Sequence, residues 1–204
     1  LSRRAGRGRG AGRRRPRPRR GRRRREAARG GKLWQPARVW LVTDRLFLGD
    51  YRSGERALAG VEQPVAPDGV PAPFAGVVSL CPMPLLSDEP VDGPARATTE
   101  WLSVPIMDGG RGEGELESAL GVVVPFVRRR RVIGNVLLHC AAGMSRSVAA
   151  MIAVLCEDGA SLDAALRQVI AAKAAGLYPF VGDESSLVAL APEFRACLAR
   201  LYGR

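Results

Sequence analysis

A cysteine and an arginine six positions apart, Cys140 and Arg146, are the residues of this chain best suited to chemistry. They flank a short glycine-containing segment between the apolar run Val136–Leu138 and a second apolar stretch that begins at Val148. This order predicts a buried strand, a tight turn and a helix N-terminus, where successive backbone N–H groups form a concave anion site. The guanidinium of Arg146 can grip two phosphate oxygens. Because positive surroundings favour the thiolate of Cys140, the pattern predicts a nucleophile beneath a bound phosphate monoester.

The segment His139-Cys-Ala-Ala-Gly-Met-Ser-Arg-Ser147 resembles the signature of the cysteine-dependent phosphatases, most closely the dual-specificity branch. Leu46-Phe-Leu-Gly49 resembles the opening hairpin of that branch. The resemblance implies that Cys140 attacks phosphorus and that Ser147 donates a hydrogen bond to its sulfur. It implies that His139 orients the loop, and that neither a metal nor an organic cofactor takes part. It also implies a phosphate-binding loop made of Ala141, Ala142, Gly143, Met144, Ser145 and Arg146.

The resemblance places a general acid on a mobile loop that follows the strand before the motif helix. Asp108, in the sequence Val104-Pro-Ile-Met-Asp-Gly, falls at that place, and Gly109 and Gly110 would let the loop close. The alternative interpretation is that Asp108 caps the helix that begins near Glu113.

The four cysteines Cys81, Cys140, Cys156 and Cys197 lack the close pairing of a zinc site, and His139 is the only histidine. We therefore expect no metal site, and a reducing compartment, by default the cytoplasm, fits a thiolate enzyme. Some relatives in the wider superfamily carry a second cysteine where Cys81 lies, which forms a reversible disulfide with the nucleophile. The resemblance thus implies Cys81 as a redox partner of Cys140, and a small buried core residue is the alternative.

The formal charge of +12 divides unevenly along the chain. Residues 1–32 carry 16 of the 32 Lys and Arg and only one acid, Glu26, a balance of +15, so residues 33–204 are at −3. With no aromatic residue, this Arg-rich segment predicts a disordered tail. It could bind nucleic acid or another acidic surface, or direct nuclear import. The alternatives are a solvated extension without a partner, or a segment that is not translated.

Strands and helices alternate after the tail, which predicts an α/β, three-layer sandwich with a central, mostly parallel sheet flanked by helices, within a catalytic domain at 33–204. Predicted strands lie in the hairpin Val39–Tyr51 and at Gly76–Leu80, Glu100–Val104 and residues 136–139. Predicted helices lie at Gly54–Ala59, Glu113–Val127 (kinked at Pro125), Val148–Leu155, Leu162–Ala175, Glu184–Leu190 and Pro192–Tyr202. Because ligands bind beyond the carboxyl ends of such strands, Cys81, Asp108 and Cys140 should meet there.

The resemblance implies a monomeric protein phosphatase that acts on phosphotyrosine, and on phosphoserine or phosphothreonine, through a cysteinyl-phosphate intermediate. The alternatives are the same mechanism on an RNA 5′-phosphate, a phosphoinositide or a phosphosugar, and a non-catalytic phosphate-binding module. The neutral loop residues Ala141, Ala142 and Met144 disfavour a lipid substrate. Arg128–Arg131 either steer anionic substrates or complement a helix end. The Arg-Pro and Pro-Asn pairs usual after the penultimate helix are missing, and no run reaches the roughly 18 apolar residues that span a bilayer.

Overall fold

A five-stranded sheet organises the fold. Its strands are β1 (Val39–Thr43), β2 (Leu46–Gly49), β3 (Phe74–Ser79), β4 (Glu100–Ser103) and β5 (Asn135–His139). The order across the sheet is β1-β2-β5-β3-β4, with β1 antiparallel to β2 and every other pair parallel. The prediction of a mostly parallel sheet is confirmed. The inner strands β3 and β5 are buried along their whole length, as continuous apolar runs in parallel sheets are.

The computed structural model of the protein describes residues 39–61, 64, 72–83, 98–108, 113–176 and 184–203. All of these residues belong to one unit, Ala37–Arg204. The predicted tail at 1–32, most of the connection Pro82–Ala97, the two glycines after Asp108 and residues 177–183 lie outside the described ranges.

Five α-helices accompany the sheet in the described residues: α1 (Tyr51–Leu58), α2 (Glu113–Ile133), α3 (Arg146–Glu157), α4 (Leu162–Ala175) and α5 (Pro192–Tyr202). The first begins three residues before its predicted start because Asp50 caps it, accepting a hydrogen bond from the backbone N–H of Ser53 at 2.9 Å. The second continues to Ile133, past its predicted end, with Pro125 inside it. Instead of the predicted helix Glu184–Leu190, only a 3-10 turn forms, Glu184–Leu187.

The helices form two layers on opposite faces of the sheet. On β3, a Cβ at Gly76 would meet the side chains of Phe126 and Arg130 on α2. Ser79, three residues later and so on the other face, bonds to His139, whose ring packs against Gly54 of α1. The helices α3, α4 and α5 lie in the same layer as α2. At the centre of this layer, residues 146–155 of α3 are all buried. No helix of the described residues is long and apolar enough to cross a membrane.

The strand register brings four strand ends into one row. Gly49 of β2 and Ser79 of β3 both pair with His139 of β5, and Ser103 of β4 pairs with Ser79. The pairing extends one step further, since the N–H of Leu80 donates to the carbonyl of His139 at 2.9 Å. The segments that follow these strands therefore start at the same edge of the sheet, as predicted for Cys81, Asp108 and Cys140.

The four arginines Arg128–Arg131 in the last part of α2 are paired within the chain. Arg128 meets Glu157, Arg129 and Arg130 meet Glu100, and Arg131 meets Asp158, with N–O distances between 2.5 and 3.2 Å. Their charge is largely balanced locally, so these arginines tie α2 to β4 and to the end of α3. The structure favours this structural interpretation over the steering of anionic substrates.

We predict opposite effects on stability from an alanine at two helical glycines. In Gly54→Ala the new Cβ would lie 2.2 Å from the His139 ring, so the free energy of unfolding should fall by about 1–3 kcal/mol. In the matched control Gly121→Ala, the Cβ meets nothing within 4 Å, and the free energy of unfolding should rise by about 0.5–1 kcal/mol. Urea unfolding measures both, and equal effects would contradict the packing described.

Candidate active site

The sulfur of Cys140 lies at the centre of the row of strand ends. Cys140 directly follows β5, is 1% exposed, and is separated from the start of α3 by the loop of residues 141–145. The hydroxyl of Ser147, in the first turn of α3, donates a hydrogen bond to the sulfur at 3.2 Å. The predicted neighbours Cys140 and Ser147 are thus brought together by the strand-loop-helix geometry.

The pKa of the Cys140 thiol is lowered although the residue is buried. Burial alone raises this pKa, because a thiolate is poorly solvated in the interior. The hydroxyl and the backbone N–H of Ser147, the backbone N–H of Gly143 and the charge of Arg146 act in the opposite direction, and together they outweigh burial. The surroundings therefore stabilise the thiolate, which is the nucleophilic form of cysteine.

Arg146 is buried at the mouth of this loop and is held by the segment that follows β4. One Nη donates to the carbonyl of Ile106 and the other to the carboxylate of Asp108, each at 3.3 Å. No atom among the described residues accepts a hydrogen bond from the buried Nε of Arg146. Since an unsatisfied buried donor costs about 1–3 kcal/mol, this N–H favours an acceptor oxygen from outside the chain, such as one of a phosphate. The predicted general acid Asp108 thus contacts Arg146 in this structure.

The loop between Cys140 and Arg146 turns its carbonyls toward the scaffold. The carbonyl of Ala141 accepts from the N–H of Tyr51 at 3.2 Å, that of Met144 from the N–H of Ala189 at 3.0 Å, and that of Gly143 from Nζ of Lys173 at 2.5 Å. In a planar trans peptide the N–H points opposite to the carbonyl. The N–H groups that follow these carbonyls, those of Ala142, Met144 and Ser145, therefore point away from the scaffold groups that hold the carbonyls, as a loop that binds an anion requires.

Gly143 has a backbone conformation that suits glycine alone. Its φ is +67°, and a Cβ there would lie 2.9 Å from the carbonyl oxygen of Gly49 and from the ring of Trp40. Ser145, the N-cap position of α3, turns its hydroxyl to the backbone N–H of Ala191 at 3.3 Å instead of capping the helix. The loop is thus held on its outer side by α1, α4 and the chain before α5.

His139 lies beneath the loop in a buried polar network. Its Nε2 lies 2.6 Å from the hydroxyl of Ser79, which also accepts a hydrogen bond from the indole N–H of Trp101 at 2.9 Å. Burial lowers the pKa of His139 to about 4, against the opposing effects of the Cys140 backbone and the Asp50 carboxylate. A neutral, fixed ring is consistent with the predicted orienting role.

Cys81 lies close enough to Cys140 for their charges to interact. The pKa of the Cys81 thiol is raised to about 11 by burial and by the charge of Cys140, with Arg146 acting in the opposite direction. Both thiols are free and buried. The disulfide between Cys81 and Cys140 stays a prediction.

The site residues predicted from the sequence do not include Lys173, Trp40, Ser79 or Trp101. One signal for Lys173 was available, since the residues four and eight positions before it on α4, Val169 and Ala165, are apolar, which places Lys173 on the buried stripe of the helix. A cavity of about 420 Å³ lies among α3, α4 and α5, and none of the predicted site residues lines it. The described residues contain no cluster of three or more His, Cys, Asp or Glu side chains that could hold a metal ion.

Comparisons with known proteins show which class of fold this is. No protein-family model and no curated protein sequence matches the chain. Among solved structures, human DUSP28 is 22% identical over 83% of this chain and 95% of its own, with a TM-score of 0.53. OH1 from the Orf virus, described as a tyrosine phosphatase with triple substrate specificity, is 19% identical over 83% and 89%, with a TM-score of 0.52.

A third structure, PTPMT1 in complex with PI(5)P, is 16% identical over 79% of this chain and 92% of its own, with a TM-score of 0.50. At these identities the likeness concerns the fold. The chain has the fold of the dual-specificity phosphatases and related tyrosine phosphatases, as its sequence predicted.

We predict that Ser147→Ala raises the pKa of the Cys140 thiol, because the variant removes the hydroxyl that donates to the sulfur. The pH dependence of alkylation by iodoacetamide measures this pKa. Ser145→Ala is the matched control, since the hydroxyl of Ser145 faces Ala191. The same shift in both variants would show that the loop, and not the Ser147 hydroxyl, sets the pKa.

A second prediction concerns stability in acid. Above pH 6.5 His139 is neutral in the folded and the unfolded chain, and below it only the unfolded chain gains a proton until the folded pKa of about 4 is reached. The free energy of unfolding of the wild type should therefore fall between pH 7.5 and 4.5 by about 2–3 kcal/mol more than that of His139→Asn. Parallel pH curves from urea unfolding would contradict the buried, neutral state of this ring.

Proposed function

We propose that this protein is a cysteine-dependent phosphatase that hydrolyses phosphate monoesters. The observation that carries the proposal is the shared geometry of Cys140 and Arg146: a thiol with a lowered pKa lies in a loop of inward-pointing N–H groups, beside a buried guanidinium with a free donor. A nucleophile and the groups that hold the three equatorial oxygens of a phosphate thus meet at one strand end.

In the first step the Cys140 thiolate attacks phosphorus and the bond from phosphorus to the ester oxygen breaks. The N–H groups of the loop and the guanidinium of Arg146 hold the equatorial oxygens, where the transition-state charge lies. The Asp108 carboxyl, which takes up a proton from solvent once the phosphate has replaced it on Arg146, gives this proton to the departing oxygen. The products of this step are the free alcohol, the cysteinyl phosphate and the Asp108 carboxylate.

In the second step a water molecule attacks the cysteinyl phosphate and the bond from phosphorus to sulfur breaks. Asp108 takes a proton from this water, which restores its acid form, and inorganic phosphate leaves. The Cys140 thiolate is the leaving group. Because the Ser147 hydroxyl donates to the sulfur at 3.2 Å, it stabilises the thiolate that forms in this step.

The ion pair of Asp108 with Arg146 gives way to the substrate. The Asp108 side chain is 50% exposed, so the pair contributes at most about 1 kcal/mol. A phosphate oxygen can therefore replace the carboxylate on Arg146. Asp108 is then left beside the ester oxygen, which is where a general acid must lie.

We infer phosphotyrosine in proteins as the main substrate, with phosphoserine and phosphothreonine as further ones. The loop side chains Ala141 and Ala142 are exposed and Met144 is partly exposed, and none of them carries a charge that would bind a second phosphate group. An ester with a single phosphate fits this surface. PTPMT1 in complex with PI(5)P shows that the fold also accommodates a phosphoinositide, which makes a non-protein ester the second candidate.

We predict that Cys140→Ser abolishes the hydrolysis of a phosphotyrosine peptide and that Asp108→Asn lowers kcat by about 10²–10⁴-fold. The loss in Asp108→Asn should be smaller with an aryl phosphate whose leaving group needs no proton. Steady-state kinetics with a chelator present measures both. Asp44→Asn, an exposed acid in the turn between β1 and β2, is the control and should retain wild-type activity.

The same assay separates the candidate functions. Phosphotyrosine, phosphoserine and phosphothreonine peptides are compared with an inositol phosphate and a 5′-phosphorylated RNA. Turnover of the last two alone would assign the mechanism to a non-protein ester. Vanadate binding by a folded wild type that hydrolyses none of these compounds would identify a phosphate-binding module instead.

A further inference from the structure

A buried lysine lies under the phosphate loop. Lys173, in the last turn of α4, is 2% exposed, and its Nζ donates to the carbonyl of Gly143 at 2.5 Å. The same Nζ lies 4.6 Å from the ring centre of Trp40 on β1, a distance typical of a cation–π contact. Three separate elements therefore meet at one ammonium group.

A lysine is an expensive residue to bury at this place, because its charge loses hydration. The chain has 32 Lys and Arg, of which only Lys32 and Lys173 are lysines. An ammonium is a compact charge that fits beneath one carbonyl, whereas the larger guanidinium fork carries five N–H donors in need of acceptors. The position thus suits lysine in a chain that otherwise uses arginine.

The contact falls on the part of the loop that is easiest to distort. Gly143 has no Cβ and a positive φ, so the peptide unit between Gly143 and Met144 has more freedom to rotate than its neighbours. A rotation would turn the carbonyl inward and the N–H of Met144 outward. The loop would then present an oxygen to the phosphate in place of a donor.

We propose that Lys173 is a positioning residue for phosphate binding, and this rests on the proposed function. Its hydrogen bond fixes the peptide between Gly143 and Met144 with the Met144 N–H facing the anion. Its positive charge also polarises that peptide, which increases the partial positive charge on the same N–H. Trp40 holds the ammonium from the other side, wedged between Gly143 and Gly176, where an added Cβ would lie 2.9 Å and 2.6 Å from its ring.

The test compares Lys173→Met, which keeps the length of the side chain, with Lys173→Arg, which keeps a charge and a donor, in the full-length chain. Loss of a hydrogen bond from a charged donor should weaken inhibition by vanadate and lower kcat/KM by about 10- to 100-fold in Lys173→Met. Lys173→Arg should recover part of this loss. The pKa of Cys140, from alkylation rates, should stay near the wild-type value in both variants. Its hydrogen-bond donors are the hydroxyl and N–H of Ser147 and the N–H of Gly143, and this last N–H belongs to the peptide before Gly143, which Lys173 does not contact.

Wild-type vanadate affinity and kcat/KM in a folded Lys173→Met would overturn the proposal. A Lys173→Met variant in which the vanadate affinity, the thiol pKa and the melting temperature all change would also overturn the proposal. This result would show that Lys173 has a structural role only. If the wild type neither binds vanadate nor hydrolyses an aryl phosphate, the proposed function fails. This outcome is distinct from a failure of the Lys173 proposal, which needs an active wild type.

A second measurement needs no variant. In the full chain with 13C-labelled lysine, only Lys32 and Lys173 give side-chain signals. The Cε signal of Lys173 should shift on addition of vanadate with a midpoint equal to the inhibition constant, and the Lys32 signal should not follow this curve. A Lys173 signal that stays unchanged at saturating vanadate would overturn the proposal even if Lys173→Met fails to fold.

Discussion

The direction of the carbonyls in the phosphate loop is the constraint on which the rest of this structure depends. A peptide unit can present its N–H to an anion only if its carbonyl points the other way, and a buried carbonyl needs a donor. The donors come from three places: the N–H of Tyr51 on α1, the ammonium of Lys173 on α4 and the N–H of Ala189 before α5. These surrounding elements therefore do more than cover the sheet, since each supplies one hydrogen bond that fixes the direction of a loop carbonyl, as the proposed binding of a phosphate requires.

Several buried polar side chains surround the same loop. Ser79, His139, Ser147, Arg146 and Lys173 are all buried around the end of β5. Hydrophobic packing alone would not place them there, because each loses hydration. Hydrogen bonds between them and the loop offset part of this cost. Two buried nitrogens of the set, Nδ1 of His139 and Nε of Arg146, have no partner among the described residues. Of the two, the Nε of Arg146 is the one that a phosphate oxygen would satisfy under the proposed function, so only part of the residual cost of folding lies at the proposed binding site.

How much the sequence could predict follows from how local each signal is. The strand, turn and helix around Cys140 are encoded within a dozen residues, and the parallel register then places Asp108 and Cys81 at the same edge. The contact of Lys173 with Gly143 spans thirty residues and depends on how α4 packs, which no local pattern specifies. The helix predicted for Glu184–Leu190 does not form, for a similar reason. The N–H of Ala189, which a helix would use internally, donates to the carbonyl of Met144 in the loop instead.

In the proposed mechanism, Arg146 links the binding of phosphate to the position of the acid Asp108. Its two contacts outside the loop differ in exposure, because the carbonyl of Ile106 is part of a buried residue whereas the side chain of Asp108 is half exposed. Under the proposed function, a phosphate would therefore replace the Asp108 carboxylate rather than the Ile106 carbonyl, and the guanidinium would stay anchored while it changes its anionic partner. Met107, between these two residues, donates its N–H to the carboxylate of Glu115 on α2 at 3.2 Å, which anchors the backbone beside Asp108. In the proposed mechanism the Asp108 carboxyl would then turn from Arg146 to the ester oxygen. In the proposed mechanism a single arginine would therefore both bind the substrate and set the acid free to act on it.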